Sequence, residues 1–277
     1  MKKKIDFCEQ NKEKLIRYLQ KENIKYKLIG DDKLVPKMIC FSCFDYELTN
    51  ELVKLIKHEA IVSNFFSDEE LLNASFLTLR PQNGCIEIVN EEEAFDFFCP
   101  IKSLFTNGKY RHKEQKADFV IANVSFPKTI FLLSEDSGKH YIFTRKETYD
   151  FLKKNKITGI VSRSVLQKQG NVLSESNLLQ IGSDKKIPYK EIFCGENVKV
   201  KKCSFCGTYT INIMQDYQLM LKGKAQDYTD DFYQTEAVFG PGITKPLFVV
   251  SNKFYKLLVE NKMNKGLTFE PVVFKEF

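Results

Sequence analysis

The sequence predicts an α+β protein with two duplicated strand–helix–strand lobes and a zinc-ribbon-like knuckle. Three observations lead to this fold class. Short apolar segments alternate with amphipathic ones, two segments of the C-terminal half repeat each other, and two Cys-x-x-Cys pairs have the spacing of metal ligands. The chain has 277 residues, 43% of them hydrophobic, so a core can form and a metal would fix local geometry only.

The N-terminal third predicts a mixture of helices and strands. Apolar residues recur on one face of a helix over residues 11–24, and a strand follows at 26–29. A second helix is expected to begin at Thr49, which can cap it. We expect an N-terminal α+β part, residues 1–115, with the first cysteine pair, and a duplicated part, residues 116–277, with the second. One compact unit that contains both is the alternative.

An internal repeat is visible in the C-terminal half. Residues 141–160 and 248–267 each contain an apolar strand, a cap-like Thr144 or Ser251, an amphipathic helix and a glycine before another strand. Four residues recur at a constant offset: Tyr149, Leu152, Asn155 and Lys156 match Tyr255, Leu258, Asn261 and Lys262. The pattern predicts one unit used twice, with chance similarity of two αβ segments as the alternative.

Two Cys-x-x-Cys pairs carry the clearest chemical information in the sequence. Two cysteines separated by two residues can turn both sulfurs toward one metal, and two such pairs supply the four ligands of a closed zinc site. Gly207 follows the second pair and relieves backbone crowding in the turn. We therefore expect Cys40, Cys43, Cys203 and Cys206 to hold one structural zinc ion. Four buried free thiols are the alternative.

The other cysteines and the histidines receive less specific roles. Cys8, Cys85, Cys99 and Cys194 are expected as small core residues, and His58, His112 and His140 as surface residues. A redox function is disfavoured, because neither cysteine pair opens a helix after a strand. The chain contains no G-x-S-x-G, H-E-x-x-H, Walker or G-x-G-x-x-G pattern, so no catalytic site is predicted.

Charge and hydropathy narrow the function classes. The net charge is +6, from 42 Lys and Arg against 36 Asp and Glu, and no dense basic stripe with interleaved aromatics is present. Nucleic acid is therefore not the expected partner. No apolar run approaches the ~20 residues of a transmembrane helix, and none follows the basic start. We expect a cytoplasmic protein that does not contact membranes, with reduced thiols.

The order of these motifs resembles the double-CXXCG motif family of bacterial proteins. The first cysteine pair is followed by Leu79-Arg80-Pro81, Cys-x-x-Cys-Gly at 203–207, an aromatic region at 230–233 and the closing Phe269-Glu270-Pro271-Val272. Phe44 stands where the family has a glycine after the first pair. The resemblance implies a non-enzymatic immunity protein that binds and neutralises a cognate toxin of a contact-dependent or polymorphic system.

Two acidic segments with aromatic neighbours are candidate surfaces for that toxin. An acidic patch would speed the capture of a basic toxin by electrostatic steering. The candidate residues are Glu91, Glu92, Glu93, Asp227, Asp230 and Asp231. We expect charge reversal at Asp230 and Asp231 to weaken protection and to leave the fold intact, and a solvated loop is the alternative there. The alternative function is a zinc-ribbon adaptor that binds nucleic acid or another cytoplasmic protein.

Overall fold

A computed structural model describes most of the chain. The described residues are 2–7, 12–29, 38–43, 61–81, 85–86, 88–96, 99, 112, 114–122, 131–134, 141–194, 198–212, 218–240 and 245–276. The chain divides into two units, residues 1–68 with 214–218, and residues 69–213 with 219–277. The predicted boundary at 115/116 falls inside the second unit. The helix predicted from Thr49 lies outside the described residues.

The first unit is built on an antiparallel sheet. Its strands are β1 (Lys2–Phe7), β2 (Tyr26–Ile29), β3 (Met38–Cys43) and β4 (Ile61–Phe65), in the order β2-β3-β1-β4. Helix α1 (Lys12–Lys21) connects β1 to β2 and buries Leu15 and Leu19, as the periodicity of this segment predicts.

The second unit consists mostly of strands with a few helices. The strands are β5 (Phe76–Pro81), β6 (Cys85–Ile86), β7 (Phe95–Asp96), β8 (Glu114–Gln115), β9 (Phe119–Ala122), β10 (Phe131–Ser134), β11 (Ile142–Arg145), β12 (Ile160–Gln169), β13 (Val172–Ser183), β14 (Lys186–Ile187), β15 (Lys199–Lys202), β16 (Tyr209–Asn212), β17 (Met220–Lys222), β18 (Phe232–Thr235), β19 (Val238–Phe239), β20 (Phe248–Ser251), β21 (Leu267–Pro271) and β22 (Val273–Lys275). The helices after α1 are α2 (Asp68–Asn73), α3 (Glu91–Ala94), α4 (Lys146–Lys154) and α5 (Asn252–Glu260), with 3-10 turns at Tyr189–Glu191 and Ala225–Asp227. The α+β class is therefore confirmed.

Two sheets form the body of the second unit. One has six strands in the order β6-β10-β11-β13-β12-β9, and the other has five in the order β14-β18-β20-β5-β21. Smaller ladders join β15-β16-β19, β17-β22 and β7-β8. None of the helices in the described ranges is long and apolar enough to cross a membrane.

The two repeated segments have the same local structure. In each, a four-residue strand (β11 or β20) leads into a nine-residue helix (α4 or α5). Leu152 and Leu258 are fully buried on the inner faces of these helices. Ser251 caps α5 by accepting a hydrogen bond from the backbone N–H of Phe254 at 3.2 Å. Thr144 does not cap α4, contrary to prediction, because the helix begins at Lys146 and Arg145 occupies the N-cap position.

The turns after the two helices also coincide. Lys156 and Lys262 adopt left-handed φ angles of 56° and 55°. The side-chain amides of Asn155 and Asn261 each donate a hydrogen bond of 2.8 Å to a backbone carbonyl four residues earlier. These contacts satisfy carbonyl groups at the helix ends, which explains why Asn and Lys recur in this order.

In both segments, a third strand lies between the two strands of the repeat and runs antiparallel to each. Strand β13 lies between β11 and β12, and β5 lies between β20 and β21. The register is the same: Ile181 pairs with Ile142 and Ser162, and Leu79 pairs with Phe248 and Phe269. The middle strand follows the first segment in sequence but precedes the second. Both segments contribute side chains to one apolar core cluster.

Candidate metal centre

The second cysteine pair lies in the tight turn between β15 and β16. These strands pair antiparallel up to Lys202 and Tyr209. The backbone N–H of Cys203 donates to the carbonyl of Thr208 at 2.9 Å, and the N–H of Gly207 donates to the carbonyl of Cys203 at 3.0 Å. Gly207 has a φ of 72°, a left-handed conformation that glycine adopts without steric cost. The glycine predicted to relieve this turn therefore does so.

A second pair of strands brings Cys99 and His112 to the same place. Cys99 follows β7 and His112 precedes β8 along the chain. Because β7 and β8 are antiparallel, the chain leaves one strand and enters the other at the same end of the ladder. The ring of Phe95 in β7 lies 5.5 Å from that of Phe119 and anchors this ladder in the core.

Four potential ligand atoms converge at this point. The sulfurs of Cys99, Cys203 and Cys206 and a ring nitrogen of His112 all lie within 4.8 Å of one another. The sulfurs of Cys99 and Cys203 are 3.6 Å apart, and the sulfur of Cys206 lies 3.2 Å from Nδ1 of His112. Donors bound to one tetrahedral zinc ion are about 3.5–3.8 Å apart, given the usual Zn–S and Zn–N bond lengths. The cluster could therefore hold a metal ion.

Local hydrogen bonds favour metal binding by the buried thiol of Cys203. Cys99, His112 and Cys203 are exposed by only 0%, 5% and 6% of their surface. Burial opposes ionisation of Cys203, but the backbone N–H groups of Cys206 and Phe205 and the neighbouring thiols outweigh it and lower the pKa of Cys203 from 9.0 to about 7. The thiolate is the form that binds metals, so the fold partly prepares this ligand.

The structure gives a mixed result for the predicted ligands. Cys203 and Cys206 lie in the cluster. Cys40 and Cys43 lie on β3 of the first unit, and their side chains are outside the described residues, so their part in a zinc site stays a prediction. His112 is buried, so its prediction as a surface residue is wrong. The Cys99-to-His112 spacing falls within the range that separates Cys and His ligands in zinc fingers, and this was the missed indication.

The predicted acidic surface residues lie in different environments. Glu92, Glu93 and Asp227 are exposed, and Asp230 is partly exposed. Glu91 begins α3, and its side chain is not described. One carboxylate oxygen of Asp227 accepts a hydrogen bond of 2.8 Å from the backbone N–H of Lys224, so this residue also stabilises its own turn. Asp231 is only 7% exposed and does not belong to the surface, contrary to prediction.

Asp231 joins the two repeated segments from inside the unit. It accepts hydrogen bonds from the backbone N–H of Thr158 at 3.1 Å, from the hydroxyl of Ser251 at 2.7 Å and from the ammonium of Lys253 at 2.9 Å. Burial raises the pKa of Asp231, but the hydrogen bonds from Ser251 and Lys253 outweigh it and hold this pKa below its usual value. Reversal of this charge is therefore expected to disturb the fold, which replaces the earlier expectation for this residue.

No protein-family model, curated protein or solved structure matches this chain.

Proposed function

We propose that the protein is a non-enzymatic binding protein, stabilised by a structural zinc ion, that neutralises a cognate bacterial toxin in the cytoplasm. The observation behind the zinc is the convergence of Cys99, His112, Cys203 and Cys206. Four protein ligands fill the tetrahedral shell of a structural zinc site, whereas catalytic sites keep one position open for water. Thiolate and imidazole donors also favour zinc over magnesium or calcium.

The toxin partner is supported by the order of the sequence motifs. The motifs shared with the double-CXXCG family include Leu79-Arg80-Pro81 and Phe269-Glu270-Pro271, which lie on the neighbouring strands β5 and β21. Phe269 pairs directly with Leu79, and both are buried. These motifs are therefore elements of one core, which favours a shared fold over a coincidence of short patterns.

We also propose that the two repeated segments arose by duplication and that the Cys203–Gly207 turn is a zinc knuckle. Identical strand register around the middle strands β13 and β5 supports the duplication. Because the middle strand follows one copy and precedes the other, the copies differ in connectivity. Both copies contribute side chains to the same apolar core, so we describe them as two halves of one unit and not as two separate lobes.

Two measurements test this function. Protein purified without chelator should contain about one zinc per chain, since one closed site takes four ligands.

Co-expression with the toxin gene encoded beside this one should protect a sensitive host. The double variant Glu92→Lys/Glu93→Lys should weaken protection if the exposed acidic segment contacts the toxin, and Glu175→Lys on β13 is the matched control. Failure of the wild type to protect against any flanking candidate would argue against immunity.

A second candidate function is an adaptor that binds nucleic acid. The hairpin β15–β16 favours it, because Lys199, Lys201 and Lys202 are exposed and Phe205 at its tip is exposed by 68%. Lysines would contact phosphates, and the phenyl ring could stack on a base. This candidate predicts salt-sensitive binding to a single-stranded DNA oligonucleotide that Lys201→Glu/Lys202→Glu abolishes. Protection from a toxin without such binding would exclude it.

A further inference from the structure

Two buried polar atoms beside the edge of the five-stranded sheet lack a hydrogen-bond partner. Arg80 on β5 and Thr268 on β21 are directly opposite each other, so their side chains share one face of the sheet. The Nε of Arg80 and the hydroxyl of Thr268 are both buried, and neither forms a hydrogen bond. Burying a polar group without a partner costs free energy, so each such atom in a native fold requires an explanation.

Around Arg80, the described residues include a second cation, Lys245, and one carboxylate, Glu270. A carboxylate oxygen of Glu270 lies 3.4 Å from Nη2 of Arg80 and balances one charge. Lys245 supplies a second cation, positioned by the backbone hydrogen bonds that it exchanges with Phe239 at 2.7 and 3.2 Å. Burial and then the charge of Arg80 lower the pKa of Lys245 from 10.5 to about 8. Within the described part of the chain, no carboxylate forms a salt bridge with Lys245.

We propose that Arg80, Lys245 and Thr268 bind a compact oxyanion, either a phosphate or a carboxylate group. Such a ligand offers several acceptor oxygens, so it can take hydrogen bonds from Nε of Arg80, from the Thr268 hydroxyl and from the Lys245 ammonium together. Glu270 contacts Arg80 through Nη2 and leaves the Nε edge for the ligand. A water molecule would satisfy the two orphan atoms but would not compensate the charge of the half-buried Lys245.

This site does not depend on the metal centre or on the nature of the protein partner. It also gives a role to two motif residues, Arg80 and Glu270, that the proposed function does not use. A free anion and a carboxylate side chain of a bound protein share the required chemistry. The experiment therefore begins with small anions on the isolated protein.

The test is a titration of the zinc-loaded protein with inorganic phosphate and with acetate, at ionic strength held constant with chloride. We expect a saturable rise in melting temperature and a matching binding isotherm by calorimetry for at least one anion. Lys245→Met should weaken binding about tenfold or more, because a charge-assisted hydrogen bond is lost. Thr268→Val should weaken anion binding by a smaller factor, because the hydroxyl donor is lost. Thr268→Ser keeps the hydroxyl and should bind the anion as the wild type does. Lys153→Met, an exposed site on α4, should bind as the wild type does.

The outcomes separate the possibilities. No saturable response to either anion overturns the proposal and leaves water as the partner of the orphan atoms. Equal binding by the wild type, Lys245→Met and Thr268→Val means adventitious binding to surface lysines and also overturns it. Circular dichroism checks that each variant is folded, and because Lys245→Met removes a poorly compensated charge, it should not unfold the protein. If a partner's carboxylate is the natural ligand, saturating phosphate will weaken that complex. If a free anion is the ligand, the complex will be unaffected.

Discussion

The two Cys-x-x-Cys pairs have the same spacing but lie in different local structures. Cys40 and Cys43 belong to β3, a strand paired on both sides, with Cys40 opposite Asp6 of β1 and Lys27 of β2. Cys203 and Cys206 lie in a turn closed by two backbone hydrogen bonds. A regular strand places positions three apart on opposite faces, whereas a tight turn can bring them to one side.

The comparison shows that spacing alone does not define a metal-binding pair. The local backbone decides whether two sulfurs can reach one ion, and the other potential ligands can come from residues outside any Cys-x-x-Cys pair. Cys99 and His112 complete the cluster around the turn although neither belongs to a Cys-x-x-Cys motif. The second pair is thus half of a four-residue cluster within its own unit that could hold a metal ion.

The largest expected effect is on zinc content, which should depend on the second cysteine pair and not on the first. Cys203→Ser should reduce zinc content from about one per chain to near zero, because the remaining three donors bind far more weakly. Loss of the metal should destabilise the second unit by about 3 kcal/mol or more. Elemental analysis and thermal denaturation measure the two effects. The double variant Cys40→Ser/Cys43→Ser is the matched comparison and should retain its zinc. Loss of zinc from that variant would instead support one zinc site shared by the two cysteine pairs.

Cys99 and His112 should behave like the second pair. Cys99→Ser and His112→Ala should each lose zinc, since each removes one of the four potential ligands. Cys194→Ser removes a described cysteine that is not part of the cluster and should keep it. The measurement is zinc content after dialysis against a weak chelator. Normal zinc content in His112→Ala would show that the imidazole is not a ligand.

Asp230 and Asp231 are adjacent in sequence, but they lie in different environments, and their substitutions should have different effects on stability. Asp231→Asn should lower the free energy of unfolding by about 1–3 kcal/mol at pH 7, because a buried charged hydrogen-bond network is weakened. The folded-state pKa of Asp231 is depressed, so its stabilising effect is present above the unfolded pKa of about 4 and is lost as the pH falls through the folded value. Asp230→Asn, which loses a partly exposed ion pair with Lys185, should cost at most about 1 kcal/mol.

Denaturant unfolding from pH 7 down to pH 3 tests both aspartates. The difference between the wild type and Asp231→Asn should shrink toward the acid end. A difference that is constant over this range would mean that the ionised form of Asp231 does not stabilise the fold.

The smallest expected effect concerns the glycine that distinguishes the two pairs. An added Cβ at Gly207 would meet only Cε of Lys202, at 3.9 Å, so space is available. The cost of Gly207→Ala is the left-handed φ alone, about 1 kcal/mol. Zinc content should stay normal while the melting temperature falls slightly. Loss of zinc in this variant would show that the glycine is required for the ligand geometry itself.

Much of the fold could be predicted from local sequence patterns. Helix α1 and strand β2 follow from apolar periodicity, and the repeat at 141–160 and 248–267 predicts two strands and two helices that the structure contains. The sequence predicts a strand at 76–80, where β5 lies, but the place of the middle strands between the two strands of each segment could not be predicted. Strand β5 pairs with β20 and β21 across a large part of the chain, and such pairings leave no periodic trace in a single sequence.

Only half of the metal cluster could be predicted. Cys203 and Cys206 are recognisable because a turn imposes a local spacing on its ligands. Cys99 and His112 are joined by the ladder β7–β8 and lie far from the turn in sequence, so their proximity is a tertiary property. The environment of Asp231 is also tertiary: its partners Thr158 and Ser251 come from two different segments, and its sequence neighbours resemble those of an exposed loop.

The most direct test of the metal centre is zinc K-edge X-ray absorption on protein purified without chelator. Coordination by Cys99, His112, Cys203 and Cys206 predicts three sulfurs at about 2.3 Å and one nitrogen at about 2.0–2.1 Å, with the outer-shell scattering of one imidazole. The first cysteine pair in combination with the second would give four sulfurs and no imidazole. A shell of three sulfurs and one nitrogen is the result we predict, and a shell of four sulfurs would contradict the centre described above.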